Sequence, residues 1–157
     1  MIVIAYGSPM GSFDDFIRNI DNLFIYNIKF ETLFLCDDFN IDFSINSKST
    51  KQMQRWQFLD LTAAYGLRAT LTEATRVTKS SSAIIDNIFT NLREKDRTAH
   101  VQDPGISDHK SQILTAKILS RICKHKVKSV HKKIGKYNDQ SIYVQKGSCN
   151  EGLVLAQ

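Results

Sequence analysis

The 157-residue chain is 42% hydrophobic, 10% aromatic and 24% charged, the composition of one ordinary globular domain with enough apolar side chains to bury a core. Its longest apolar runs, residues 2–6 and 32–36, fall far short of the roughly 20 residues a membrane helix needs, and the opening MIVIAYGSP has neither the basic start nor the cleavage site of a secretory signal. The expected class is therefore neither membrane-embedded nor secreted, and its net charge of +5 hides an uneven distribution along the chain.

In chain order, residues 2–6 read as a buried strand broken by Gly7, Ser8 and Pro9. A helix is expected next. Ser12 is a natural N-cap, Asp14 and Asp15 complement the dipole of the first turn, and Phe13, Phe16, Ile17, Ile20, Leu23 and Phe24 recur at helical spacing. Residues 32–36 form a second buried strand that ends at Asp37. Residues 44–50 are polar and loop-like. Residues 51–65 again show helical spacing through Met53, Trp56, Leu59, Leu61 and Ala64, closed by Gly66 just past the helix end. Four β-type runs follow at 67–73, 83–90, 99–102 and 112–118, separated by TKSSS, NLREKD and DPGISDH.

The charge divides along the same line. Residues 1–109 carry 11 Lys/Arg against 14 Asp/Glu, whereas residues 110–157 carry 10 against 2. Residues 120–157 are expected to be a basic, poorly ordered tail, its SRICKHKVKSVHKKIGKYNDQ only weakly periodic and its GSCNEGLVLAQ matching no element. An acidic body with a basic extension suits a metal-dependent site joined to a polyanion-binding segment, and a solvated tail without a partner is the plain alternative. Cys36, Cys123 and Cys149 lack metal-ligand spacing, and their odd number argues for free thiols, with Cys36 a small core residue.

The chemistry concentrates at strand ends. FLCDDFNIDF drives a buried strand into carboxylates, and Asp38 and Asn40, two apart, would point to one side if the backbone stayed extended. Such a pair can accept a proton or meet a cation through the acid and donate to a phosphoryl oxygen through the amide; an Asx-turn is the competing reading. Asp86 interrupts the apolar run SSAIIDNIFTN, where an unpartnered carboxylate would cost several kcal/mol, so it requires a partner. GISDHKS supplies Asp108 and His109. An imidazole oriented by a buried Asp is suited to proton transfer or phosphate binding, whereas a lone His109 would be a surface residue.

LFLCDDFNID, ATRVTKSSSAIIDNIFTN and GISDHKSQIL, in this order, resemble the endonuclease/exonuclease/phosphatase superfamily, in particular the apurinic-type endonuclease domain of non-LTR (LINE-like) retrotransposons. The opening AYGSPMGSFDDFIRNIDNLF is similar to that family's strand and helix before its Gly-Asp-Phe-Asn motif. The resemblance covers roughly residues 1–119 and implies an α+β class fold, a four-layer α/β-sandwich of the DNase I-like type, of which this chain carries the C-terminal part with the N-terminal half missing. The exposed inner face of its sheet would then form a large apolar patch.

By the same resemblance, Asp38 aligns or deprotonates the attacking water, Asn40 contacts the scissile phosphate, Asp86 orients His109, and His109 binds the phosphate. Asp108 would help hold Mg2+, with Mn2+ as an alternative ion, and Thr75 and Arg76 would lie at the DNA contact, although an exposed loop arginine is the plain reading of Arg76. The family's metal-binding Glu belongs to the missing half, and neither Glu31 nor Glu73 lies in a matching motif. Two positions depart from the pattern: Asp37 stands where the family usually has Gly, and Gly7 where it has Arg.

The implied activity is Mg-dependent phosphodiester hydrolysis that nicks DNA for target-primed reverse transcription, from a nuclear parent polyprotein that also carries a reverse transcriptase and uses no small-molecule cofactor. The alternatives are a catalytically inactive nucleic-acid-binding remnant, whose basic tail gives salt-dependent affinity, and a phosphatase of the same fold.

Overall fold

The computed structural model describes residues 1–27, 32–45, 51–117, 128–133, 141–146 and 153–156. Cys123, Cys149 and much of the basic stretch lie outside them, as does most of the loop expected at 44–50.

Strand β1 (Ile2–Ala5) leads through the Gly7–Pro9 break into helix α1 (Phe13–Asn27), and β2 (Phe34–Asp38) returns parallel to β1, which requires a long crossover of this kind. Ser12 starts α1: its carbonyl accepts the Phe16 amide at 3.1 Å and its hydroxyl accepts the Asp15 amide at 3.3 Å. Helix α2 (Gln52–Ala64) ends in a Schellman arrangement, with Gly66 at φ 70°. Gly66 N–H donates to the Ala63 carbonyl and Leu67 N–H to that of Thr62, each at 2.9 Å.

The shorter strands are β3 (Arg68–Ala69), β4 (Arg76–Val77), β5 (Ser82–Ala83), β6 (Asp86–Thr90), β7 (Arg97–Gln102) and β8 (Ser111–Ala116). Three more, β9 (Lys128–Lys133), β10 (Ser141–Lys146) and β11 (Leu153–Ala156), fall in the segment for which no structure is expected from the sequence. They are held by partners far away in the chain: β10 pairs antiparallel with β1, β9 with β10, and β11 with β8.

The result is a mixed α/β architecture of the α+β class. A six-stranded sheet runs β3-β6-β2-β1-β10-β9, a three-stranded sheet β11-β8-β7, and β4-β5 forms a small hairpin. Strand alternation sends successive side chains to opposite faces. Val3, Ala5, Leu35 and Phe89 therefore meet Phe16, Ile20, Phe24 and Phe58 of the two helices. Phe34, Cys36 and Ile88 turn the other way and pack on Leu114 and Ala116 of β8. That second layer covers the part of the sheet where an exposed apolar patch was expected.

Two expectations shift. Helix α2 buries Arg55, Phe58 and Thr62, while Met53 and Trp56 are 69% and 51% exposed. Arg55 is usable inside because its guanidinium donates to the Ser44 carbonyl and lies over the Trp56 ring at 5.0 Å. The run at 67–73 is a strand only at Arg68–Ala69; the Thr70 amide still donates to the Ile88 carbonyl at 2.9 Å, and from there the buried Asn87 side chain takes over from the ladder. Its Oδ1 accepts the amides of Thr70 and Leu71 at 3.2 Å, and its Nδ2 donates to the Leu71 carbonyl at 3.0 Å.

Candidate metal centre

Asp38 is the last residue of β2 and Asp86 the first of β6, and antiparallel pairing sets the two directly opposite one another. His109 arrives from the turn before β8 and forms a β-bridge with Arg76. Each of Asp38, Asp86 and His109 offers one ligand atom, and these atoms lie within 4.8 Å of one another. Asp86 is 6% exposed, and His109 Nδ1 lies 3.2 Å from both of its carboxylate oxygens. With Nδ1 turned toward Asp86, the other ring nitrogen is left for a ligand.

Electrostatically the site is short of positive charge. Burial pushes the Asp38 carboxyl above its ordinary range; the Asn40 amide opposes this, Asp86 adds to it, and His109 and Asp37 contribute smaller effects of opposite sign. Asp37 is likewise raised, first by burial and, against the amide of Asp38, by the charge of Asp86. Crowded, desolvated carboxylates of this kind are what a divalent cation relieves. Two carboxylates and an imidazole together could hold a metal ion, the imidazole being the softer donor of the set.

The backbone entering the site is unusual. Asp37 has φ 145° and Asn40 φ 51°, both in the region that favours glycine. Asp37 Oδ1 accepts the Asp38 amide at 2.8 Å. Gly7 closes against this turn: its N–H donates to the Asp38 carbonyl at 2.9 Å, and a Cβ at position 7 would stand 2.4 Å from the Phe39 carbonyl oxygen. An arginine, usual there in the resembling family, has no room on this backbone.

The other expected site residues border the trio without being among its ligands. Asn40 does not continue the strand: its amide N–H donates to Asp38 Oδ1 at 2.9 Å in an Asx-turn, and its side chain donates to the Gly7 carbonyl at 2.7 Å. The left-handed residue breaks the two-residue alternation that would have set Asn40 beside Asp38. Asp108, expected as a metal ligand, is instead engaged by Arg76, whose Nε donates to Oδ2 at 2.8 Å, and this guanidinium holds the carboxyl below its usual range. Arg76 is exposed, and the charges of Asp38 and Asp86 reach it. Thr75, expected at a DNA contact, is 0% exposed, so its side chain has no surface to offer DNA. Gly7 and Asn87 carry structural duties that the sequence reading does not assign; a wholly buried Asn in an apolar strand is itself a signal that its amide must be paired.

The fold and site thus define a mixed α/β domain with a candidate cation centre of two aspartates and a histidine. No family model matches the chain, and no curated protein matches it. No helix among the described residues is long and apolar enough to cross a membrane.

Proposed function

We propose that this chain is part of a metal-dependent phosphodiesterase that nicks DNA, built on the C-terminal part of a four-layer, DNase I-like sandwich and derived from a retrotransposon-encoded endonuclease. The observation that carries the reading is the convergence of Asp38 and Asp86 at the paired ends of two buried strands, with the imidazole of His109 held on Asp86.

Asp38 and Asp86 would hold Mg2+, or Mn2+ in its place, and the ion when bound supplies a Lewis acid for a phosphoryl oxygen. Asp38 would offer one oxygen to the ion, and its other oxygen accepts a proton from the attacking water. His109, its Nδ1–H donated to Asp86, directs its other nitrogen to the phosphate and neutralises charge there when protonated. Arg76, exposed and paired with Asp108, would meet the DNA backbone on leaving that carboxylate. A parent protein with a reverse transcriptase and a nuclear site of action complete this reading.

Nicking of supercoiled plasmid by the purified chain with Mg2+, lost with EDTA and lost in His109→Ala, is the expected result. Absence of nicking by the unaltered chain overturns it. One observation favours a second reading, a catalytically inactive nucleic-acid binder: the Asn40 amide and the Asp108 carboxylate are both engaged by neighbours. That reading predicts metal-independent binding that weakens steeply with salt.

A further inference from the structure

Thr75 is bonded to both segments that bring Asp86 and His109 together. Its Oγ1 accepts two amides, from Ile85 at 3.1 Å and from Asp86 at 3.0 Å. Its own N–H donates to the Ala83 carbonyl at 3.0 Å, and its carbonyl accepts the Lys110 amide at 2.7 Å. One residue on, Arg76 bridges His109, and Val77 N–H donates to the Asp108 carbonyl at 2.9 Å. On one side these bonds fix residues 83–86, where the chain leaves β5 and enters β6; on the other they fix residues 108–110.

The side-chain bonds fall at the entry to β6. The carbonyls of Ile84 and Ile85 accept the amides of Phe43 and Phe39, and the amides of Ile85 and Asp86 go to the Thr75 hydroxyl. Both are bonded to a hydroxyl that is itself wholly buried. Without that oxygen two buried N–H groups lose their acceptor, and the strand end must move to find another. The residue that would move is Asp86, whose two oxygens are equidistant from His109 Nδ1.

We propose that Thr75 is a positioning residue: its hydroxyl fixes the start of β6 so that the Asp86 carboxylate receives His109 Nδ1–H, which sets the imidazole tautomer and aims the free nitrogen into the site. The consequence for catalysis rests on the phosphodiesterase reading; the placement of His109 does not. Contacts that hold a ligating side chain in place are typically worth 10- to 100-fold in metal affinity.

The test uses the full chain labelled with 15N-histidine, with His109 assigned through His109→Gln and the ring nitrogens read at a pH where the imidazole is neutral. Mn2+ affinity is measured on the same samples. The unaltered chain is expected to show the Nδ1–H tautomer. Thr75→Val, which keeps the shape and removes the acceptor, shifts the population toward Nε2–H and weakens Mn2+ binding by roughly 10-fold. Thr75→Ser restores both. Wild-type nitrogen shifts in Thr75→Val, or a Thr75→Ser variant as impaired as the valine one, overturns the proposal. Should Thr75→Val not fold, Thr75→Cys, whose sulfur accepts weakly, is expected to fall between, and a cysteine variant indistinguishable from wild type overturns the proposal equally. If the unaltered chain shows the tautomer pattern but nicks no plasmid, the phosphodiesterase reading fails and the positioning role stands.

Discussion

His109 Nδ1 lies 3.2 Å from each carboxylate oxygen of Asp86, although the two residues are 23 positions apart. A buried carboxylate straddling an imidazole nitrogen gives Asp86 the partner its apolar strand demands and fixes which His109 nitrogen faces outward. Asp38 stands across the β2–β6 pair from Asp86, so a third ligand comes without any further change of backbone.

A divalent cation is expected to stabilise the fold. Binding to the native state alone contributes about 2.7 kcal/mol when the free ion is at 100 times its Kd, which for a chain of this size corresponds to about 5–10 °C in unfolding midpoint. Thermal unfolding with Mn2+ and then with EDTA reads this directly. Asp38→Asn and Asp86→Asn should each remove most of the shift; an equal shift in both variants would place the ion elsewhere.

Replacing Asp37 by glycine is expected to stabilise the metal-free protein by about 1 kcal/mol. A non-glycine residue at φ 145° stores strain of about 1–3 kcal/mol, and a half-buried charge beside Asp38 and Asp86 adds to the cost. Against this stand the hydrogen bond from Asp37 Oδ1 to the Asp38 amide and the chain entropy of glycine, about 0.5–1 kcal/mol. Urea unfolding at pH 7 measures the balance, and a lowered midpoint for Asp37→Gly would show that the hydrogen bond outweighs the strain.

The same carboxylates set the pH dependence. Both Asp37 and Asp38 have folded-state pKa values raised above the ordinary 3.8, mainly by burial. A carboxyl raised on folding contributes stability that is fully present below its unfolded pKa and is lost as pH rises through its folded pKa. In metal-free protein, stability should therefore increase as pH is lowered from 7 toward the carboxylate range, while Mn2+ affinity decreases because protons compete for Asp38. Asp108, lowered by Arg76, acts with the opposite sign and below 3.8, where its contribution is lost. Urea midpoints in EDTA across this range, compared with those of Asp37→Asn/Asp38→Asn, provide the check; a slope unchanged by the double variant would assign it to other groups.

Helix α1 and its Ser12 cap, the Gly66 stop of α2, and the strands leading into Asp38 and Asp86 are legible in the sequence because each depends on local rules: spacing, capping, and the tolerance of glycine for a left-handed turn. The demand that Asp86 be partnered is legible for the same reason, since a carboxylate within an apolar run is costly wherever the strand lies.

The tertiary structure decided the rest. It tied the side chain of Asn40, a residue at φ 51°, to the Gly7 carbonyl, and gave Asp108 to an arginine 32 residues away. Thr75 went into the interior, and strands from beyond residue 120 joined the edge of β1. None of these follows from spacing along the chain. Each is the choice of a donor for an acceptor across a long loop, and only the packed backbone determines which partners come within about 3 Å.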